Sequence, residues 1–235
     1  AKIIPINVAH WIHWNVGNVG QFQRNRVSFF EQTNRLKAHQ DRLAKLEITD
    51  ENTLLGIIDN EMGVFQAGSF NGVQLNYAYA RLRDAELAET TLSGISFQDG
   101  ENITGHRGLV IRRLKELNLF NRVFGSLFAD QHRPYYFIYQ DYLIMCEEVG
   151  GLKYLLNDLL ENKVLAQSDS YLNLERALPN RYHLRVLASP NDFLQANKAS
   201  LDQKFEKELR SISDSLVNLR WAVGQIRYDQ DYGFF

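Results

Sequence analysis

The sequence predicts an all-α protein: an elongated helical bundle with long N- and C-terminal helices and a smaller helical subdomain between them. Three observations carry that expectation. Leu201, Phe205, Leu209, Ile212, Leu216, Leu219, Val223 and Ile226 recur at steps of three and four, which holds one apolar stripe in register. Near the other end Phe22, Phe29, Leu36 and Leu43 recur every seven residues. Only four prolines interrupt the 235 residues, so little in the chain forbids helix.

Taken in order, Ile3 to Ile6 reads as a short extended lead-in held out of helix by Pro5. From Val8 to Leu46 the pattern reads as one long helix with a half-polar seam, with Gly17 and Gly20 as weak points near its start. Thr49 or Asp50 then caps a second helix running through Phe65, and Gly68 and Gly72 mark a loop. Val73 to Tyr79 alternates as a strand would. The longer run Leu75, Ala78, Tyr79, Leu82, Ala85 and Leu92 has helical spacing, and its length favours helix. The glycine-rich stretch from Ser93 to Gly105 reads as a loop and a possible subdomain boundary in what is otherwise one domain.

Gly108 to Phe128 is expected to form one or two helices. Pro134 sits at a helical first position before a densely apolar helix from Tyr135 to Cys146. After Gly150-Gly151, Leu152 to Leu160 continues as an amphipathic helix, Ser168 to Leu178 is a short one, and Tyr182 to Leu187 is a short strand or extended segment. The last helix, Ser189 to about Arg227, starts with Ser189 as N-cap, Pro190 at the first position and Asp192 completing a variant capping box. At 1.5 Å per residue it would be roughly 55 Å long, more than a domain of this size needs.

Composition bounds the function classes. Hydrophobic residues make up 45% and charged residues 23%, an ordinary globular balance, and a net charge of −2 gives no overall pull toward nucleic acid or anionic membranes. No window is apolar enough for a transmembrane helix. Ala1-Lys2-Ile3-Ile4-Pro5 lacks the apolar core of a signal peptide, and an initial Ala suits Met removal and export cleavage equally, so cytoplasmic, virion and exported locations all stay open. Cys146 stands alone, which rules out an intrachain disulfide and a multi-thiolate zinc site.

Motifs for catalysis are missing. There is no G-x-S-x-G elbow, no Walker A loop, no dinucleotide fingerprint and no E-x-x-H pairing, so neither a catalytic residue nor a cofactor is assigned. His10 and His13 would share a face if helical, yet two imidazoles do not make a metal site, and none is assigned. Asn102-Ile103-Thr104 is a glycosylation sequon. Arg107, Arg112, Arg113, Lys115, Arg122 and Arg133, interleaved with Phe120, Phe124 and Phe128, are the residue types that contact phosphates and stack on unpaired bases. The same phenylalanines at steps of four also read as a core stripe with the basic residues on its wet side.

The order of a short Ile-Pro-Ile lead, Asn7-Val8-Ala9 and a long polar-seamed helix resembles the start of minor pilus components of type IV secretion systems. The resemblance covers about 40 residues without a specific motif, and it implies an exported helical protein packing its long first helix beside its last.

The function expected from these features is that of a non-enzymatic assembly subunit in a capsid, filament or secretion apparatus. Leu201, Phe205, Leu209, Ile212, Leu216, Leu219, Val223, Ile226, Phe234 and Phe235 would form its interface with protein partners or further copies of itself. Two alternatives stand beside it: a nucleocapsid-like RNA-binding protein using the basic stretch 106–136, and an enzyme with an unrecognised site drawing on His106 or His183.

Overall fold

The structure, a computed structural model, describes residues 1–44, 51–197 and 219–227. Among them strand and helix take similar shares, 33% and 38%, so the chain is a mixed α/β protein and the all-α expectation is corrected. Its centre is one nine-stranded antiparallel sheet, β1 Val8–Asn15, β2 Ile58–Phe70, β3 Val73–Leu82, β4 Ile103–His106, β5 Leu109–Arg113, β6 Tyr135–Tyr139, β7 Tyr142–Cys146, β8 Leu184–Ala188 and β9 Ala222–Ile226, in the order β4-β5-β6-β7-β3-β2-β1-β8-β9. Among the described residues eight helices flank it: α1 Val19–Gln32, α2 Leu36–Leu43, α3 Glu51–Ile57, α4 Ala85–Gly94, α5 Leu119–Phe124, α6 Val149–Leu160, α7 Asp169–Ala177 and α8 Pro190–Asn197.

Helices cover both faces of the sheet, and each face has its own core. On the first, Trp11, Phe65, Tyr77, Ile144 and Leu187 pack against Leu152, Leu155, Leu156 and Leu159 of α6, Tyr171 of α7 and the lead-in residues Ile3 and Ile4. On the second, Met62, Ala78, Ala80, Leu143 and Met145 meet Val19, Leu54, Ala88, Leu92, Phe120 and Phe124 from α1, α3, α4 and α5. A sheet buried on both sides hides its period, because inward and outward positions are then both apolar. The twelve-residue apolar run from Tyr135 is the clearest case. It is the hairpin β6–β7, turned at Gln140 with φ 55°, in place of the expected helix.

The other corrections share this cause. The expected first helix is β1 followed by α1 and α2, so Phe22 and Phe29 fall on one helix and Leu36 and Leu43 on another, and the heptad does not form a coiled-coil seam. With a strand at Val8–Asn15, the pilus-like order of elements is not present either. The second helix stops at Ile57 and continues as β2 through Phe65. β3 replaces the helix expected after Val73. The β2–β3 hairpin turns at Asn71-Gly72, with φ 51° and 80°, as a type I′ turn requires. Between Gly108 and Phe128 the chain forms β5, then α5 and a single 3-10 turn, Ser126–Phe128. β4 begins inside the glycine-rich stretch 93–105, at Ile103, and belongs to the same sheet.

Several local signals hold. Ser168 caps α7 by accepting from the Tyr171 amide, and α6 covers the run from Leu152 to Leu160. α8 begins at Pro190, with the Ser189 hydroxyl donating to Asp192. That helix does not reach Arg227: Val223 and Ile226 lie on β9, which pairs antiparallel with β8. Leu201, Phe205, Leu209, Ile212 and Leu216, with Phe234 and Phe235, lie outside the described residues.

Candidate functional site

The polar side chains richest in chemistry gather on the first face of the sheet. Register places His13 of β1 across from Gly63 of β2, and Gly63 across from Tyr79 of β3. Because Gly63 has no side chain, the Tyr79 ring lies over β2 and reaches β1. A Cβ at position 63 would meet Tyr79 Oη at 2.7 Å and the Ile12 carbonyl oxygen at 2.2 Å. Tyr79 Oη thereby accepts from Trp11 Nε1 at 2.8 Å and lies 2.5 Å from His13 Nδ1.

The direction of this chain follows from its chemistry. Indole nitrogen only donates, and the Glu61 carboxylate beside Nε2 assigns the His13 proton to that nitrogen, which leaves Nδ1 to accept from the Tyr79 hydroxyl. Nε2 faces Glu61 Oε2 at 3.5 Å, while Tyr142 Oη donates to Glu61 Oε1 at 2.5 Å. Glu61 opens the chain toward the surface. There Arg81 lies 3.9 Å from it, binds Asp141 at 2.8 Å and sits 3.8 Å from Asp59.

His13 is 5% exposed, and burial, aided by the positive charges of the α-amino group and Arg185, pushes its pKa down to about 3. Burial raises the Tyr79 and Tyr142 hydroxyls well above the usual tyrosine range. A histidine whose folded pKa is depressed adds stability that is fully present above 6.5 and lost as the pH falls from there toward about 3. Acidification from pH 7 to pH 5 is therefore expected to cost about 2 kcal/mol through His13 alone. Urea unfolding at the two pH values checks this, and His13→Gln should flatten the dependence. An equal slope in that variant would remove the assignment.

A second cluster adjoins the first. Arg185 of β8 is 1% exposed, and its Nη1 donates to both Glu175 oxygens at 2.9 and 2.6 Å. The Gln225 side-chain oxygen, turned toward the guanidinium, accepts from Nη2 and Nε at 2.7 Å each. The guanidinium also stacks at 3.9 Å on the Tyr182 ring, and Tyr171 Oη donates to Glu175 at 2.6 Å. Burial raises the Glu175 pKa, but the hydrogen bonds from Arg185 and Tyr171 outweigh it and hold the carboxyl below its usual value. One buried cation so ties β8, β9 and α7 together. In both clusters the acids, bases and hydroxyls are turned on one another.

The residues singled out from sequence are dispersed. Arg112 lies on the second face and pairs with Glu89, whereas Arg113 lies on the first, against Tyr135 at 5.0 Å. Arg107 donates to Asn157 from the β4–β5 turn, Arg133 packs on Phe97, Arg122 is on α5, and Lys115 follows a bridge between Ser96 and Leu114. Phe120, Phe124 and Phe128 pack on one another with ring centres 5.7 to 5.9 Å apart inside the second core, where no base can reach them. Of the expected interface, Leu219 is 42% exposed, Ile226 is 44% exposed and Val223 is half-buried. His10 and His13 lie on opposite faces of β1, which corrects their expected shared face, and no group of three or more metal-binding side chains exists among the described residues. His106 bonds Asn157 and is separate from His183.

Sequence reasoning missed Trp11, Tyr79 and Arg185. Their partners stand 66 or more positions away for Tyr79, and on neighbouring elements for Arg185, so no local spacing marks them. Comparison with protein-family models, with curated proteins and with solved structures finds no match.

Proposed function

We propose that this chain is a non-enzymatic assembly subunit that works through its sheet. The observation that supports the reading is the open form of that sheet. Among the described residues its two outer strands, β4 and β9, each pair on one side only. An outer strand carries a row of unpaired amides and carbonyls, a template for another chain, and soluble proteins normally guard it with charge, proline or a bulge. Neither β4 nor β9 holds proline, lysine or a carboxylate. The buried polar clusters support the same reading, since their groups are spent on internal bonds that fix the sheet's shape.

Partners are then protein strands, whether of this chain or of another. No described helix is long and apolar enough to cross a membrane. Sedimentation velocity on the full chain across a wide concentration range tests the reading. The expected result is a mass above one chain that grows with concentration. A strict monomer throughout would sink it.

A further inference from the structure

The β4–β5 hairpin turns on Arg107 and Gly108, with φ 51° and 85°, the pair of left-handed conformations of a type I′ turn. Such a turn sets the phase of the ladder. The flanking pair His106 and Leu109 exchanges both backbone bonds, and alternation makes Thr104 with Ile111 the next bonded pair and puts Asn102 and Arg113 in the same phase beyond it. The Arg113 amide donates to the Asn102 carbonyl at 3.0 Å, as this phase demands. The amides and carbonyls of Ile103 and Gly105 therefore point away from β5, out of the edge. Their side-chain positions share the second face with Val110, which is 45% exposed.

We propose that a second copy of this chain pairs antiparallel with β4 about a two-fold axis at Thr104, so that the two sheets join. This rests on the assembly reading above and names its partner. Three features of the edge are self-complementary. First, the outward groups of Ile103 meet those of Gly105 of the second copy, and the reverse, giving two doubly bonded pairs from one short strand. Second, Gly105 leaves a gap beside Val110 on the second face, and Ile103 of the second copy falls next to that gap, covering apolar surface that is open in one chain. Third, counting outward from Thr104 sets Glu101 opposite Arg107 of the second copy. Both are exposed, so Arg107, by exchanging its contact with Asn157 for Glu101 of the second copy, would set opposite charges together at each end of the joined strands.

Antiparallel register also makes the two Thr104 residues a non-bonded pair, with Cβ atoms about 4.5–5.5 Å apart, close enough for a disulfide after small adjustment. Thr104→Cys is the direct test on the full chain, because Cys146 is buried and offers no competing surface thiol. The expected result is a reductant-sensitive dimer on mild oxidation, with native circular dichroism. In the protein without added cysteine, Glu101→Arg should weaken self-association by about tenfold, and adding Arg107→Asp should restore it.

The outcomes separate the two claims. A wild-type dimer that neither cross-links at position 104 nor responds to the charge exchange overturns this edge and leaves the assembly reading standing. A wild type that stays monomeric overturns both.

Discussion

Gly63→Ala is expected to destabilise the protein by about 3 kcal/mol, and to do so by displacing Tyr79. The added Cβ would stand 2.2 Å from the Ile12 carbonyl oxygen and 2.7 to 2.8 Å from the Tyr79 ring. The first contact is with backbone in a paired strand, which cannot rotate aside. Relief requires β1 and β2 to separate or Tyr79 to leave, and either course breaks the bonds from Trp11 and to His13. For a chain of this size that loss corresponds to roughly 6–12 °C in Tm. Thermal unfolding measures the shift, and near-ultraviolet circular dichroism should report the altered surroundings of Trp11. Gly56→Ala is the matching control, since a Cβ there meets nothing within 4 Å. On that exposed helical position alanine is expected to be neutral or stabilising by about 0.5–1 kcal/mol. Equal effects at the two positions would show that the close approach at Gly63 does not matter.

The second large effect concerns the buried cation, and its sign depends on which partner is removed. Glu175→Ala leaves the Arg185 guanidinium, with 2% of its side chain exposed, facing only the neutral Gln225 oxygen and the Tyr182 ring. An uncompensated buried charge of this kind costs about 3–5 kcal/mol, and partial access through the Glu175 position places the expectation near 3. Arg185→Met costs less, about 1–2 kcal/mol, because the Glu175 side chain is 37% exposed and turns to water. The double variant should be more stable than Glu175→Ala alone. A double-mutant cycle by urea unfolding reads all three. Additive losses would mean that the pair is not coupled, against the geometry described. Gln225→Leu removes the link to β9 and should release that strand in hydrogen exchange before global unfolding.

These two sites show what could and could not be foreseen from residues in order. The short helix from Ser168, the start of a helix at Pro190 and the amphipathic run from Leu152 were readable because caps and apolar spacing act within a few residues. Asn71-Gly72 is likewise a local signal for a hairpin, and it outweighs the helical spacing of Leu75 to Leu92 for a physical reason. Two consecutive residues at positive φ reverse the chain, whatever pattern follows. The Tyr135–Cys146 run gave no such warning, since Gln140-Asp141 is an ordinary dipeptide. Both strands there are buried on two sides, and their apolar residues do not alternate.

The polar clusters were illegible for a different reason. His13, Tyr79 and Glu61 meet because antiparallel register sets three strands side by side, and the vacancy at Gly63 lets a tyrosine bridge two of them. Nothing about a lone glycine in a sequence reveals which ring will cross it. The basic stretch from Arg107 to Arg133 met the opposite fate. Contiguous in sequence, it is divided by the pleat, which sends Arg112 and Arg113 to opposite faces.

By itself, then, the sequence determined where the chain can turn and where helices can begin, through caps, glycines and prolines that act within a few residues. It also determined a globular balance of charge and apolar content. Whether an apolar run became helix or strand was decided only by tertiary structure. Both conformations bury the same side chains, and the choice turns on whether neighbouring strands are there to take up the backbone bonds. The same holds for the site: burial and register, set by strands far apart in the chain, made a neutral histidine and a fully bonded arginine out of residues that look ordinary in isolation.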